Sequence, residues 1–225
     1  MVGDAKVLYC ESELSTFMDK TVQFNGFIKK ELLILAPFVK TPWASFTLTE
    51  IKMLTRNKSH HYVFEALEKF CFLGALKKII RGNTNVYSVK GGIEYFSLVE
   101  VLMKEKARLP FKNLDLIAEK IKSPYYTLIV GGSYAAGNPK AGSDLDVVVI
   151  IPDADKKPFQ VALREGELMI PEVHGFVFTY PEFYSMLVND EFNLGKEFAR
   201  KHVIVYGAEA YYKILFEAMK HGFKG

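Results

Sequence analysis

Asp144 and Asp146 stand two residues apart at the head of Asp-Leu-Asp-Val-Val-Val-Ile-Ile, residues 144–151. In an extended chain the side-chain period is two, so both carboxylates leave one face, their Cα atoms roughly 6.5–7 Å apart. Carboxylates converging in this way can share a hard, oxygen-loving cation such as Mg²⁺. Left unpaired, they would repel each other and lose solvation. The run 147–151 is almost entirely β-branched and suits a central strand covered on both faces. Just upstream, residues 125–130 (YYTLIV) read as a buried strand ending on Gly131-Gly132-Ser133. Glycine lets the backbone turn sharply and approach a ligand closely. Ser133 then opens a short helical turn, whose free N–H groups and dipole favour phosphate.

The spacing joins these two halves. Gly132-Ser133, three residues, Gly137, five residues, then Ser143-Asp144-Leu145-Asp146 gives the pattern GS-x3-G-x5-SD-x-D. It resembles the signature of the DNA polymerase β-like nucleotidyltransferases, most of all their minimal branch. The resemblance covers residues 132–146 with complete spacing. It implies that Gly132 and Ser133 bind the triphosphate of a nucleotide, ATP being the expected donor, and that Asp144 and Asp146 are metal ligands for Mg²⁺ or Mn²⁺. The implied reaction moves a nucleotidyl group from an NTP to an acceptor hydroxyl and releases pyrophosphate. Two cations suit such an in-line displacement, because they stabilise the attacking and leaving oxygens together. The resemblance further implies that minimal members act as antitoxins, modifying or binding a small helical toxin protein.

The chain departs from the family in two places. A third carboxylate is expected on the next strand, residues 172–179 (EVHGFVFT), where alternation puts Glu172, His174 and Phe176 on one face. His174 occupies the mid-strand position. It is a candidate metal ligand or general base, or a neutral core histidine; Glu172 is a candidate substitute ligand or a strand-edge charge. Many relatives also carry a basic residue before Gly137, where this chain has Ala136; Lys140 is the candidate replacement, with Ser143 beside it in the loop. Asp153 and Asp155 repeat the D-x-D spacing but sit between Pro152 and Lys156-Lys157, and read as a solvated loop.

Residues 28–40 predict a buried helix, and Thr47 with Glu50 has capping-box spacing for a short helix through about Arg56. Ser59 can cap a third helix with Val63, Leu67, Phe70 and Cys71 on one stripe, stopped at Gly74. A strand, a Gly-Asn turn and a strand follow. Over residues 26–91 this layout resembles a winged helix-turn-helix. The architecture expected is therefore α+β: an N-terminal arm and winged helix over 1–91, then connector helices and a nucleotidyltransferase-type mixed sheet over 92–225. Between Lys52 and Lys90 eight Lys/Arg face two acids, a local net of +6. Lys58, His60, His61, Lys77, Lys78 and Arg81 are the candidate contacts to double-stranded DNA. Glu65 and Glu68 lie on the helix that would enter the groove and oppose that reading; dimerisation or protein contact is the other use.

The overall charge of +3 permits a polyanionic partner without demanding one. Cys10 and Cys71 have no metal-ligand spacing. No apolar run reaches membrane-spanning length, and a cytoplasmic protein is the expectation. An inactive regulator that keeps the transferase fold is the alternative to an enzyme.

Overall fold

The computed structural model describes residues 23–24, 27–152 and 155–225, so Cys10 and Asp153 lie outside the described residues. Two short strands, β1 (Gln23–Phe24) and β2 (Phe27–Ile28), pair antiparallel and lead into a helical run. The single helix predicted over 28–40 is instead α1 (Lys29–Leu32), a 3-10 turn (Leu33–Leu35) and α2 (Ala36–Lys40). Pro37 explains the break. It has no N–H to give the Leu33 carbonyl, and the Ala36 N–H takes that carbonyl in the tighter three-residue pattern.

β3 (Ser45–Thr47), α3 (Leu48–Leu54), α4 (His60–Phe72), β4 (Leu76–Arg81) and β5 (Thr84–Val89) follow. The capping box closes α3: Glu50 N–H donates to Thr47 Oγ1 at 3.3 Å, and Thr47 N–H donates to Glu50 Oε2 at 2.7 Å. Ser59 Oγ caps α4 by accepting from Tyr62 N–H. Val63, Leu67 and Phe70 point into the core, whereas Cys71, expected on that stripe, is only half-buried. β4 and β5 form a hairpin about Gly82-Asn83, and β3 adds to it in the order β3-β5-β4. The sequence reading had no strand at β3; three residues are too few for alternation to register.

α5 (Ile93–Lys104) and α6 (Phe111–Lys120) connect to a second sheet. Its elements are β6 (Thr127–Val130), α7 (Gly132–Ala135), β7 (Leu145–Ile151), α8 (Lys157–Gly166) and β8 (Val173–Thr179). They continue with α9 (Tyr180–Val188), α10 (Leu194–Arg200), β9 (Val203–Tyr206) and α11 (Ala208–Lys220). β6 begins at Thr127, and Tyr125, expected inside a buried strand, is exposed. The sheet order is β8-β7-β6-β9, with β7 and β8 parallel and the other pairs antiparallel.

Both faces of this mixed sheet are covered, which is why β7 is apolar on both sides. Leu128, Val130, Val147 and Val149 meet Leu114 and Ile117 of α6 and Phe159 and Leu163 of α8. Ile129, Val148, Ile150 and Ile204 face the opposite way, into a core that also holds Phe96, Phe183, Tyr211 and, from the N-terminal part, Leu35 and Phe38. Gly175 lets α8 lie close on β8, since a Cβ there would stand 2.8 Å from Leu163 Cβ. No helix among the described residues is long and apolar enough to cross a membrane.

Candidate functional site

β7 and β8 run parallel with Leu145 level with Val173 and Asp146 level with His174. Asp144 and Glu172 each stand one step before those pairs. Residues level in a parallel pair project to the same side, so alternation brings Asp144, Asp146, Glu172 and His174 to one face at one end of the sheet. The two strands are pinned there by Leu145 N–H donating to the Glu172 carbonyl at 2.8 Å. Gly131 N–H donates to the Asp146 carbonyl at 2.9 Å and ties the glycine turn to the same edge.

Within the cluster the imidazole lies between two carboxylates. His174 Nδ1 is 3.8 Å from Asp144 Oδ2, and Nε2 is 3.5 Å from Glu172 Oε1. Both distances exceed a hydrogen bond. One ligand atom each from Asp144, Glu172 and His174 falls within 4.8 Å of the others, and all three residues are exposed. Asp146, one pleat deeper on the same face, is half-buried. Burial pushes its carboxyl above the ordinary carboxylate range; the charge of His174 works against that shift and Asp144 adds to it.

Gly132 has a positive φ of 57° and adjoins Asp146 so closely that a Cβ would stand 2.0 Å from Asp146 Oδ2. The missing side chain is thus the cradle of that carboxylate. One donor atom each from Asp144, Glu172 and His174 in so small a space suits a divalent cation; Asp146 stands beside that group rather than within it. The other nucleotide-binding candidates frame the loop after α7. Ser143 Oγ accepts from Lys140 N–H at 2.8 Å, and the Lys140 side chain is exposed. Asp155 accepts from Lys157 N–H at the entrance to α8, a local loop role that agrees with its reading as a solvated acid.

The DNA candidates are gathered less well. Lys58, Lys77 and Arg81 are exposed, but Lys78 Nζ pairs with Glu68 at 2.7 Å and His61 Nε2 with Glu65 at 3.1 Å. His60 occupies the first position of α4. Around them Met53, Leu54, Phe64, Phe72 (90% exposed) and Ile80 (71%) present apolar surface.

Sequence reasoning missed a buried polar knot away from the acidic edge. Glu100 of α5 accepts from Tyr212 OH at 2.7 Å and lies 3.6 Å from His202 Nε2. Glu100 and His202 border a cleft of about 560 Å³ that Ala135 and Ala136 also line; the acidic cluster does not. Their distance in sequence, across α5, the residue before β9 and α11, hides the knot from any local pattern. Phe198 was missed for the same reason; its ring fills the space where Gly131 would carry a Cβ.

Neither the curated proteins nor the solved structures gave a match to this chain. A family model did: residues 114–206 match the family described as "Nucleotidyltransferase domain". That span runs from α6 to the end of β9, so the four-stranded sheet and the acidic edge built above lie wholly inside a nucleotidyltransferase-domain match.

Proposed function

We propose that the chain moves a nucleotidyl group from a nucleoside triphosphate, ATP among the donors, to an acceptor hydroxyl. The observation that carries this reading is the convergence of the Gly131-Gly132-Ser133 turn on Asp146, beside Asp144 and His174. In this reading the N–H groups of Gly132 and Ser133 receive the phosphates, since the first N–H groups of a helical turn lack partners within it. Lys140 adds positive charge from the loop that Ser143 shapes. Asp144 and Asp146 hold the divalent cation, Mg²⁺ or Mn²⁺. When bound, the metal supplies charge stabilisation for the oxygens that attack and leave the α-phosphorus. The new bond joins the acceptor oxygen to that phosphorus, the bond to pyrophosphate breaks, and the hydroxyl proton passes to solvent or to an exposed carboxylate at the edge.

Incubation with each α-labelled NTP, Mg²⁺ or Mn²⁺ and protein, nucleic-acid or small-molecule acceptors tests the proposal. Label should enter an acceptor in equal amount to the pyrophosphate released, and Asp144→Asn and Asp146→Asn should lower the rate at least ~100-fold. Transfer that persists in both variants would remove the two aspartates from the chemistry.

The module formed by α1 through β5 is read as a winged helix, and its exposed chemistry favours protein contact over DNA. On α4 the exposed residues are His60, His61, Phe64, Glu65 and Phe72; His61 stands against Glu65, and Glu68 already pairs with Lys78. A phosphate-binding helix would present free cations instead. Mobility shift on duplex DNA at two salt concentrations checks this. No salt-dependent complex is expected, and one abolished by Lys77→Glu with Lys78→Glu would restore the DNA reading.

A further inference from the structure

The imidazole of His174 stands where a third carboxylate is expected, and its two nitrogens face different partners. Nδ1 is turned to Asp144 and Nε2 to Glu172. A single imidazole cannot give both nitrogens to one ion. Two donor atoms bound to one cation at about 2.1 Å each stand between about 3 and 4.2 Å apart. The 3.8 Å from Nδ1 to Asp144 Oδ2 falls inside that range. Once Nδ1 is the ligand, the neutral ring carries its hydrogen on Nε2, which points at the Glu172 carboxylate 3.5 Å away. A metal-bound histidine with its second N–H held by a carboxylate is a common arrangement, and it raises the basicity of the ligand.

Resting on the nucleotidyl-transfer reading above, we propose that Asp144, Asp146 and Nδ1 of His174 bind the cation. Glu172 acts as the positioning residue for His174, and the nitrogen ligand makes the site select a first-row transition ion over Mg²⁺. The chemical reason is ligand type. Mg²⁺ favours a shell of oxygens and imidazole suits ions such as Zn²⁺; Mn²⁺ is also at home among oxygens but, as a first-row transition ion, takes a nitrogen more readily than Mg²⁺ does. Register alone builds this arrangement: the pairing of Asp146 with His174 carries Glu172 to the level of Asp144. Both His174 and Glu172 are exposed, so their substitution leaves the core untouched.

The experiment uses the full chain with Mn²⁺ and Mg²⁺ alone, then with ATP. Calorimetry gives the two affinities, and pulsed electron paramagnetic resonance of bound Mn²⁺ reports whether a nitrogen is coordinated. The wild type should bind Mn²⁺ at least about tenfold tighter than Mg²⁺ and show imidazole-nitrogen coupling. His174→Asp should abolish the coupling and shrink the preference towards unity. Glu172→Ala should keep the coupling but weaken Mn²⁺ roughly 10–100-fold, and Glu172→Gln, which still accepts from Nε2–H, should recover part of that loss. Mn²⁺ bound without nitrogen coupling, or an unchanged preference in His174→Asp, would overturn this inference while leaving the two-aspartate site standing. Failure of the wild type to bind either ion, with or without ATP, would overturn the site itself.

Discussion

Asp146 is the residue on which the acidic edge turns, because it is the carboxylate most withdrawn from water. Its folded pKa lies above the unfolded value, chiefly through burial. The folded chain therefore holds this proton more tightly, and the associated stability is present at low pH and lost as pH rises through the raised value. At neutral pH the Asp146 carboxylate opposes the metal-free fold. Asp146→Asn should accordingly raise the Tm of the metal-free protein while removing the Tm gain on adding Mn²⁺; a lower metal-free Tm would contradict the sign. Gly132→Ala tests the cradle. The left-handed backbone alone costs about 1 kcal/mol for a residue with a Cβ, and the contact with Asp146 Oδ2 must also be relieved. We expect cation affinity to fall with the fold retained, measured by calorimetry beside circular dichroism. At this scale the aspartates and glycines were legible because their pattern is local, inside residues 132–146. Glu172 and His174 were also named as candidates for that site; which of them stands level with which aspartate was not legible, since it depends on the register of two strands joined through α8.

Elements were legible where they carry their own start and stop signals. The capping box at Thr47 was such a signal and fixes the first turn of α3; the box at Thr179, seen only in the fold, closes α9, where Pro181 sits in the first turn as its missing N–H allows. Thr179 matters more than an ordinary cap because it also ends β8, the strand that carries His174. Glu182 N–H donates to Thr179 Oγ1, and Glu182 Oε2 accepts from Thr179 N–H. Thr179→Ala should therefore destabilise the chain by about 1 kcal/mol in urea unfolding. An effect within ~0.3 kcal/mol would mean the box contributes little against the packing of α9. Where signals were weak, the sequence misled. Pro37 splits a run that composition reads as one helix, and β3 has too few residues to show its pairing with β5.

In the whole molecule, α5 is the member that joins the two parts. Phe96 packs on Tyr212 and Phe216 of α11, while Glu100 reaches Tyr212 OH and Lys29 of α1 pairs with Glu105 at the end of α5. At a second seam Trp43 meets Phe223 edge-on at 5.3 Å. No Gly/Ser-rich linker separates the two parts in the sequence, and one core spans them. We expect one cooperative unfolding transition, with fluorescence of Trp43, the sole tryptophan, coinciding with circular dichroism. Two separated transitions would make the parts independent. The central claim is that this scaffold presents a cation-dependent nucleotide site at the paired aspartates. Calorimetric titration of ATP into the full chain, with and without Mn²⁺, tests it most directly beside an Asp144→Asn, Asp146→Asn double variant. The account predicts binding that requires the ion and disappears in the double variant. Binding of equal strength without the ion, or unchanged in the double variant, would contradict it.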